Sequence, residues 1–240
     1  MPLPEIRAPI QPKRGRVGTL LIGLAFAACN STSAAPDNAA SDNRDRHGPA
    51  NVAEYIAGLE SNDRIRDLDP ASVVAKLGLW PEAVVADIGC GPGVFALRFA
   101  RAVPRGIVFA VDVEPKQLDA LREQLLAGGF DNVVPVLASY STPHLPSASV
   151  DLIFIADTYH HIDDRVAYMR RLQRALRSGG RLAVLEYKPG PLPLGPPPEK
   201  KLQAGEMQRE LVEAGWTRTA SFDTHANHTF EVWTPASTAR

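Results

Sequence analysis

The feature that most constrains the fold is a short glycine-rich turn that follows an apolar run. Residues 83–88 read AVVADI, a continuous apolar strand of the kind expected where both faces of a sheet are covered. The turn DIGCGPG spans residues 87–93, and Pro92 to Ala102 then carries apolar residues at helical spacing. A strand, a glycine turn and a helix in this order predict the first unit of a doubly wound sheet, with the turn beside the ligand crevice.

The rest of the chain from Val52 onward alternates strands with helices. Further strands are predicted at Ile107–Val111, Val133–Leu137, Val150–Ala156 and Arg181–Tyr187, with strand-like segments near Trp216–Phe222 and His228–Trp233. Helices are predicted at Val52–Leu59, at Ser72–Leu77, from Pro115 to Gly128-Gly129, from Asp163 or Asp164 to Ser178-Gly179-Gly180, and at Gln203–Ala214. The polar run Glu60–Asp69 is predicted to separate the first two helices. This alternation predicts a mostly parallel sheet with helices on both sides.

A second signal is an acid at the end of the second predicted strand. Asp112 closes the sequence FAVD, 19 residues beyond Gly93. An acid in this position accepts hydrogen bonds from the ribose hydroxyls of a nucleoside cofactor, and free N–H groups at the helix start favour a carboxylate. The alternative is that the glycines only make a tight turn and Asp112 only caps the helix at Pro115. The loop and the acid together, at this spacing, favour the nucleoside site.

The glycine spacing discriminates between nucleoside cofactors. Gly89, Gly91 and Gly93 form a GxGxG pattern, whereas a dinucleotide fingerprint needs GxGxxG, and position 94 is Val. The turn therefore lacks the usual binding site for the pyrophosphate of a dinucleotide. A nicotinamide-dependent oxidoreductase is the poorer interpretation.

The two motifs and the later strands resemble one enzyme family. DIGCGPG resembles the first motif of class I S-adenosylmethionine-dependent methyltransferases, and FAVD resembles their second. LIFIADTYHHI and LRSGGRLAVLEYKPG resemble the regions of the fourth and fifth strands, so the resemblance covers roughly Val52 to Trp233. EYIAGLESNDRIRDLDP is similar to the helical lead-in of a small-molecule branch akin to ubiquinone and arsenite methyltransferases. The resemblance implies an α/β, Rossmann-like doubly wound sheet of seven strands in the order 3-2-1-4-5-7-6, with an antiparallel last strand.

The same resemblance implies S-adenosylmethionine as the cofactor. The residues that would contact it are Asp87, Gly89, Cys90, Gly91, Gly93, Asp112, Val113, Ser139 and Asp157. Relatives usually carry an acid after the third strand that contacts the adenine amino group, but VLASYSTPHLP has none between Val136 and Pro146. Ser139, Tyr140 or a backbone group would take its place.

Candidate catalytic residues follow the fourth strand. Methyl transfer from a sulfonium is an in-line displacement that needs no enzyme nucleophile, but a base is needed where the acceptor is protonated. His160 and His161 titrate near neutral pH, so either is a candidate base, with His160 preferred. The alternative is that one of them only holds the loop. Asp157 is expected to orient a histidine or to face the cofactor, and no metal site is expected because no third ligand lies at useful spacing.

Four other residues are weaker candidates for the site. Tyr55 and Arg64, in the helical lead-in, are expected either to cover the active site or to pack as an ordinary surface helix. Glu186 and Lys188 end the fifth strand and would face the crevice if the fold is right.

The first fifty residues do not have the pattern of a folded domain. Lys13, Arg14 and Arg16 precede the apolar run Val17–Ala28, which is too short to span a bilayer and meets Cys29. Residues 1–29 thus resemble a lipoprotein signal, with attachment to the cell envelope through a lipidated Cys29. Residues 30–50 are predicted to be a disordered linker, and residues 51–240 the methyltransferase domain. If the true start lies further along, the protein would be cytoplasmic.

Charge and composition narrow the range of partners. The net charge is −1, the pI is about 6.6 and the basic residues are scattered, so no nucleic-acid surface is predicted. A small-molecule acceptor is expected, and the oligomeric state is not determined. The rival function is a non-catalytic exported binding module with a degenerate methyltransferase fold, because an exported enzyme would be separated from the cytosolic cofactor.

Overall fold

The computed structural model describes residues 51–236. The predicted signal-like segment 1–29 and linker 30–50 lie outside the described residues. No helix within residues 51–236 combines the length and the apolar character needed to cross a membrane.

Seven strands form a single sheet. They are β1 (Val84–Ile88), β2 (Ile107–Asp112), β3 (Val133–Leu137), β4 (Val150–Ala156), β5 (Leu176–Tyr187), β6 (Trp216–Phe222) and β7 (His228–Pro235). Their spatial order is β3-β2-β1-β4-β5-β7-β6, and β7 runs antiparallel to both of its neighbours. The predicted fold class and strand order are confirmed. Pro135 lies in β3, at an edge of the sheet where its missing N–H is tolerated.

The helices cover both faces of this sheet. They are α1 (Val52–Leu59), α2 (Asn62–Leu68), α3 (Pro70–Lys76), α4 (Ala96–Ala102), α5 (Pro115–Gly128), α6 (Arg165–Leu172) and α7 (Glu206–Glu213). Successive strand residues point to opposite faces, and each face has its own apolar cluster. One cluster joins Val85 and Phe154 to helices α3 to α5, and the other joins Val84 and Ile155 to α6 and α7. β1 is buried along its whole length, as its continuous apolar run predicted.

The polar run before α3 is a helix, contrary to the prediction of a separator. Ser61 caps α2 by accepting a hydrogen bond from the backbone N–H of Arg64, and Leu68 is fully buried. Only Ile65 and Leu68 supply its apolar side, which is too little for the hydrophobic period to signal a helix. The helix after the glycine turn is also shorter than predicted, since it begins at Ala96.

The predicted end of the sixth helix at Ser178-Gly179-Gly180 is wrong. The helix ends at Leu172 and is followed by a short turn at Gln173–Ala175, so that both glycines lie inside β5. Leu176 pairs with Val150, and a register shift between Val150 and Leu152 takes up the extra residues. The glycines therefore serve an irregular strand pairing and do not terminate a helix.

Candidate functional site

The carboxyl ends of the parallel strands open into one cavity of about 850 Å³. Its walls come from the turns after β1, β2, β3 and β4, from the end of β5, from α1 and α2, and from the loop at residues 194–197. Cavities of this size hold ligands of small-molecule or cofactor dimensions. The cavity lies where a doubly wound sheet places its ligand, at the crevice beside β1 and β4.

The glycine turn has the backbone conformation that its sequence predicted. Gly89, Gly91 and Gly93 have φ values of 72°, 55° and 104°, a region that favours glycine. A Cβ at Gly91 would lie 2.9 Å from the Gln117 side-chain oxygen, and one at Gly93 would lie 2.5 Å from Leu121. The glycines are therefore required by the turn itself and by the protein groups packed around it.

The amide groups of this turn donate hydrogen bonds within the protein. Gly89 and Cys90 donate to the Val111 carbonyl at 2.8 and 3.0 Å, and Gly93 donates to the Cys90 carbonyl at 3.0 Å. The turn is therefore pre-shaped by its own hydrogen bonds. Cys90 itself is a buried free thiol that lines the cavity.

Asp112 fastens the second strand to the glycine turn. Its Oδ2 accepts from the backbone N–H of Gly91, and its Oδ1 accepts from the N–H of Glu114, both at 2.9 Å. The helix cap is a different residue, because the Glu114 side chain accepts from Lys116 N–H. Asp112 is thus not simply a helix cap. Asp112 and its neighbour Val113 both line the cavity.

Asp87 presents an unpaired carboxylate oxygen to the same cavity. The residue is 2% exposed, and its Oδ2 has no hydrogen-bond partner among residues 51–236. Burial, together with the nearby charge of Asp112, raises the pKa of Asp87 to about 8. A cation beside this oxygen would offset both the burial of the carboxylate and its repulsion by Asp112.

The turn after β3 forms the far end of the cavity. Ala138, Ser139 and Tyr140 line it. Ser139 pairs with Thr142 through two backbone hydrogen bonds, and its Oγ lies 3.3 Å from that of Ser141. This end of the cavity carries no acid, because the stretch from Val136 to Pro146 contains none.

Asp157 ties the lead-in helices to the sheet. Its Oδ2 accepts from Arg64 at 2.8 Å and its Oδ1 from His228 Nε2 at 2.9 Å. Burial raises the pKa of Asp157, but the hydrogen bond from His228 and the charge of Arg64 outweigh it and lower the pKa below its ordinary value. Asp157 does orient a histidine, but that histidine is His228 and neither His160 nor His161.

The two candidate bases lie in different surroundings. His160 Nδ1 lies 2.8 Å from Glu186 Oε1, and both side chains are at most 5% exposed. Burial lowers the pKa of His160, but the hydrogen bond and charge of Glu186 outweigh it and raise the pKa above its ordinary value. His161 is exposed and stacks on His160, with ring centroids 4.1 Å apart. Both histidines line the cavity.

Of the four weaker candidate residues, three belong to the site and one does not. Tyr55 and Arg64 line the cavity from α1 and α2, which is the covering arrangement and not a remote surface. Glu186 reaches the site through His160. Lys188 does not line the cavity, because its Nζ donates to the His225 carbonyl at 2.8 Å, away from the crevice.

Sequence reasoning missed three contributors to the cavity region: His228, Tyr187 and the loop at 194–197. His228 starts β7, and an antiparallel strand starts at the edge where its parallel neighbours end. The predicted antiparallel last strand was therefore the signal that could have found it. Tyr187, the last residue of β5, pairs with His228 in the sheet and stacks on it at 4.4 Å. The loop carried no motif.

Metal ligation has no support in the described part of the chain. Within residues 51–236, no group of three or more His, Cys, Asp or Glu side chains is arranged to hold a metal ion.

The amino-acid sequence is similar to those of several named proteins. Residues 85–180 match the family described as a methyltransferase domain. The ubiquinone/menaquinone biosynthesis C-methyltransferase UbiE of Hahella chejuensis is 37% identical over 116 residues, 48% of this chain and 47% of that protein. The 27-O-demethylrifamycin SV methyltransferase of Amycolatopsis mediterranei is 30% identical over 164 residues, 63% of this chain and 60% of that protein. The chain thus spans about half the length of these curated relatives.

Solved structures share the fold. A SAM-dependent methyltransferase from Aquifex aeolicus superposes with a TM-score of 0.72 at 25% identity, over 77% of this chain and 98% of that one. The [4+2]-cyclase SpnF superposes with a TM-score of 0.62 at 16% identity, over 75% of this chain and 85% of that one. Since a cyclase has the same fold, fold alone does not specify the reaction.

Proposed function

We propose that this chain, a member of the class I S-adenosylmethionine-dependent methyltransferase family, transfers a methyl group from S-adenosylmethionine to a small-molecule acceptor. The observation that carries the proposal is the convergence of the glycine turn, Asp87 and Asp112 on one cavity at the carboxyl edge of the sheet. The small-molecule acceptor is supported by the names of relatives that act on ubiquinone or menaquinone precursors, on a rifamycin and on aklanonic acid.

The cavity fits the chemistry of the cofactor. S-adenosylmethionine carries an ammonium group and a sulfonium, and the cavity offers the unpaired Oδ2 of Asp87 beside the carboxylate of Asp112. The carboxylate of Asp112 is buried and fixed by two backbone N–H groups, so it is already ordered for the ribose hydroxyls. Ser139 and Tyr140 stand at the end left for the adenine.

The residues of the chain supply alignment and shielding. When bound, the cofactor supplies an electrophilic methyl carbon on a positively charged sulfur. The glycine turn and Asp112 hold one side of the cavity rigid, and α1 and α2 cover it through Tyr55 and Arg64. This arrangement limits the approach of water and leaves the acceptor to enter beside His160, His161 and the loop at 194–197.

Calorimetric titration of the full chain with S-adenosylmethionine and S-adenosylhomocysteine tests the proposal. We expect micromolar binding of both, and a loss of roughly tenfold or more in Asp112→Ala, since a charged hydrogen-bond acceptor contributes about 1.5–3 kcal/mol. Asp119→Ala is the matched control, because the Asp119 side chain is exposed on α5 and, among residues 51–236, pairs with Arg122 alone. A folded protein that binds neither compound would contradict the proposal and favour the non-catalytic binding module.

We also propose that residues 1–29 direct the protein to the cell envelope through lipidation of Cys29. The support is the order of basic residues, apolar run and small residues before that cysteine. Mass spectrometry of the mature N-terminus should find a lipidated Cys29, and Cys29→Ser should abolish the modification. An unprocessed N-terminus in a cytoplasmic fraction would contradict it and support a start further along the chain.

A further inference from the structure

We propose that the acceptor is a hydroxylated ring compound whose reacting O–H loses its proton to His160, with Glu186 as the positioning residue that holds the imidazole. The inference rests on the methyltransferase function proposed above. It names the class of acceptor and the proton acceptor for the same site.

The first observation is a buried imidazole with one nitrogen committed and the other open. His160 Nδ1 lies 2.8 Å from Glu186 Oε1, and Glu186 Oε2 also accepts from the His160 backbone N–H at 3.3 Å. The Tyr187 N–H donates to Glu186 Oε1 at 2.9 Å, so the carboxylate is held at both oxygens. Because Nδ1 donates to the carboxylate, the neutral ring carries its lone pair on Nε2, which has no hydrogen-bond partner among residues 51–236.

The second observation is the position of this ring. His160 lines the cavity that also contains the glycine turn and Asp112, so the base and the proposed cofactor site share one cavity. The geometry is that of a general base held by a third group.

The third observation is the shape of the surface next to His160. Tyr187 stands edge-on to His160 with ring centroids 6.2 Å apart, and His161 stacks on the other side. Gly195 lies against the Tyr187 ring, because a Cβ there would collide with it, and this contact brings Leu194 and two prolines to the cavity wall. The aromatic rings, Leu194 and the prolines give this part of the cavity wall an apolar surface, which suits a ring acceptor.

The proposed step balances as follows. The acceptor oxygen forms a bond to the methyl carbon while the carbon–sulfur bond breaks, and that electron pair returns to sulfur to give the neutral thioether S-adenosylhomocysteine. The acceptor proton passes to His160 Nε2, and the resulting imidazolium is balanced by Glu186. The proton then leaves to solvent when the product departs.

The charges around His160 set the pH dependence of this step. Glu186 faces the ring from β5 and Asp157 from the turn after β4, and both favour the imidazolium, while Arg165 on α6 opposes it. The neutral ring is the active form, so we expect kcat/KM to rise with pH. The midpoint should lie above 6.5, the ordinary value for histidine.

Binding of para-nitrophenol tests the proton transfer without turnover. The phenolate of this probe is coloured and the phenol is not, and the full chain is first saturated with S-adenosylhomocysteine, which has no methyl group to give. At a pH where the free probe is protonated, we expect the bound probe to be the phenolate in the wild type and the phenol in His160→Gln. His144→Gln is the matched control, since His144 is exposed and does not line the cavity, and it should behave as the wild type.

The inference is overturned if the wild-type complex binds the probe as the neutral phenol, or if His160→Gln ionises it equally. It is also overturned if the S-adenosylhomocysteine complex does not bind the probe at all. Failure to bind S-adenosylhomocysteine would instead contradict the proposed function itself, so the two failures are distinguishable.

Once an acceptor turns over, Glu186→Gln separates positioning from folding. Glutamine keeps an oxygen that can accept from Nδ1 but removes the negative charge, so the pKa seen in the pH profile of kcat/KM should move to lower pH. His160→Gln should lower kcat by roughly 10²–10⁴-fold with cofactor affinity unchanged. An unmoved limb in Glu186→Gln would show that the carboxylate only supports the fold.

Discussion

Asp87 is a buried acid whose pKa lies well above its ordinary value. It ends β1 with one oxygen unpaired, and its pKa of about 8 means that the folded protein holds a proton there at neutral pH. Burial and the nearby charge of Asp112 disfavour the ionised form of this carboxyl. The same oxygen becomes favourable when an ammonium group lies beside it.

Asp87→Asn should change how stability depends on pH. In the unfolded chain the carboxyl ionises near 3.8, whereas in the native protein it keeps its proton up to about 8. Between these values the native state holds more protons, so the free energy of unfolding of the wild type falls as pH rises, by at most about 1.4 kcal/mol per pH unit. The variant lacks this loss, so its stability relative to the wild type should increase up to about pH 8 and then level off.

Denaturant unfolding between pH 4 and pH 9 measures this difference. Asp119→Asn, at the exposed partner of Arg122, is the control and should show a constant offset. Parallel stability curves for Asp87→Asn and the wild type would mean that the native Asp87 is ionised throughout.

The family resemblance implies an acid after the third strand, and Ser139 lines the cavity in that turn. An Asp at this position would accept the adenine amino group, and a hydrogen bond to a charged group contributes about 1.5–3 kcal/mol. We therefore expect Ser139→Asp to bind S-adenosylhomocysteine roughly tenfold more tightly by calorimetry. Ser141→Asp, in the same turn but outside the cavity wall, is the control. Equal affinity in both variants would place the adenine elsewhere.

At the scale of elements, α1 and α2 cover the cavity but are anchored differently. α1 has no buried residue, whereas α2 reaches the core through Leu68. Arg64 on α2 contacts both the Leu59 carbonyl and Asp157. Elements with little buried apolar surface open at low free energy, so we expect α1 to open more readily than α2.

Arg64→Met should loosen the cover. The change leaves one oxygen of the buried Asp157 unpaired, which costs roughly 1–3 kcal/mol. We expect faster amide hydrogen exchange in residues 52–68 and faster dissociation of S-adenosylhomocysteine. Arg66→Met is the control, because Arg66 is 75% exposed and pairs only with Asp63. Unchanged exchange in Arg64→Met would show that the cover is held by other contacts.

At the scale of the whole molecule, the sheet brings distant segments to one edge. β7 inserts antiparallel between β5 and β6, so its first residue, His228, meets Asp157 at the carboxyl edge. One cavity thereby receives residues from α1, from most strand ends and from the loop at 194–197. The reaction depends on this assembly and not on the fold as such, since the same fold also serves the cyclase SpnF.

Deletion of residues 1–50 should leave the domain intact. Residues 30–50 are polar and lack apolar periodicity, a composition that predicts no contribution to the core. We expect the same Tm and the same affinity for S-adenosylhomocysteine as in the full chain. Deletion of residues 1–59, which removes α1 with Tyr55, is the comparison and should weaken binding. A loss of stability in the shorter deletion would move the domain boundary towards the N-terminus.

The sequence by itself determined the local units. The apolar run before Gly89, the positive-φ glycines and the acid at Asp112 act through backbone conformation and short-range periodicity, which are legible within a few residues. The strand order was then predicted from the family that the motifs resemble. The sequence did not predict the covering helix α2, because its apolar positions are too sparse to show a helical period. It did not predict the interior of β5, because a glycine pair there is also typical of a helix end.

Only the tertiary structure decided which side chains act together. His160 contacts Glu186, which lies 26 residues away in the sequence. Asp157 contacts His228 at a sequence separation of 71 residues and Arg64 at a separation of 93. These pairings depend on strand register, on the antiparallel insertion of β7 and on the docking of α2, none of which leaves a periodic trace in the chain. The chemistry of the candidate site resides in these long-range contacts, because a buried carboxylate or imidazole takes its charge from whatever the fold places beside it.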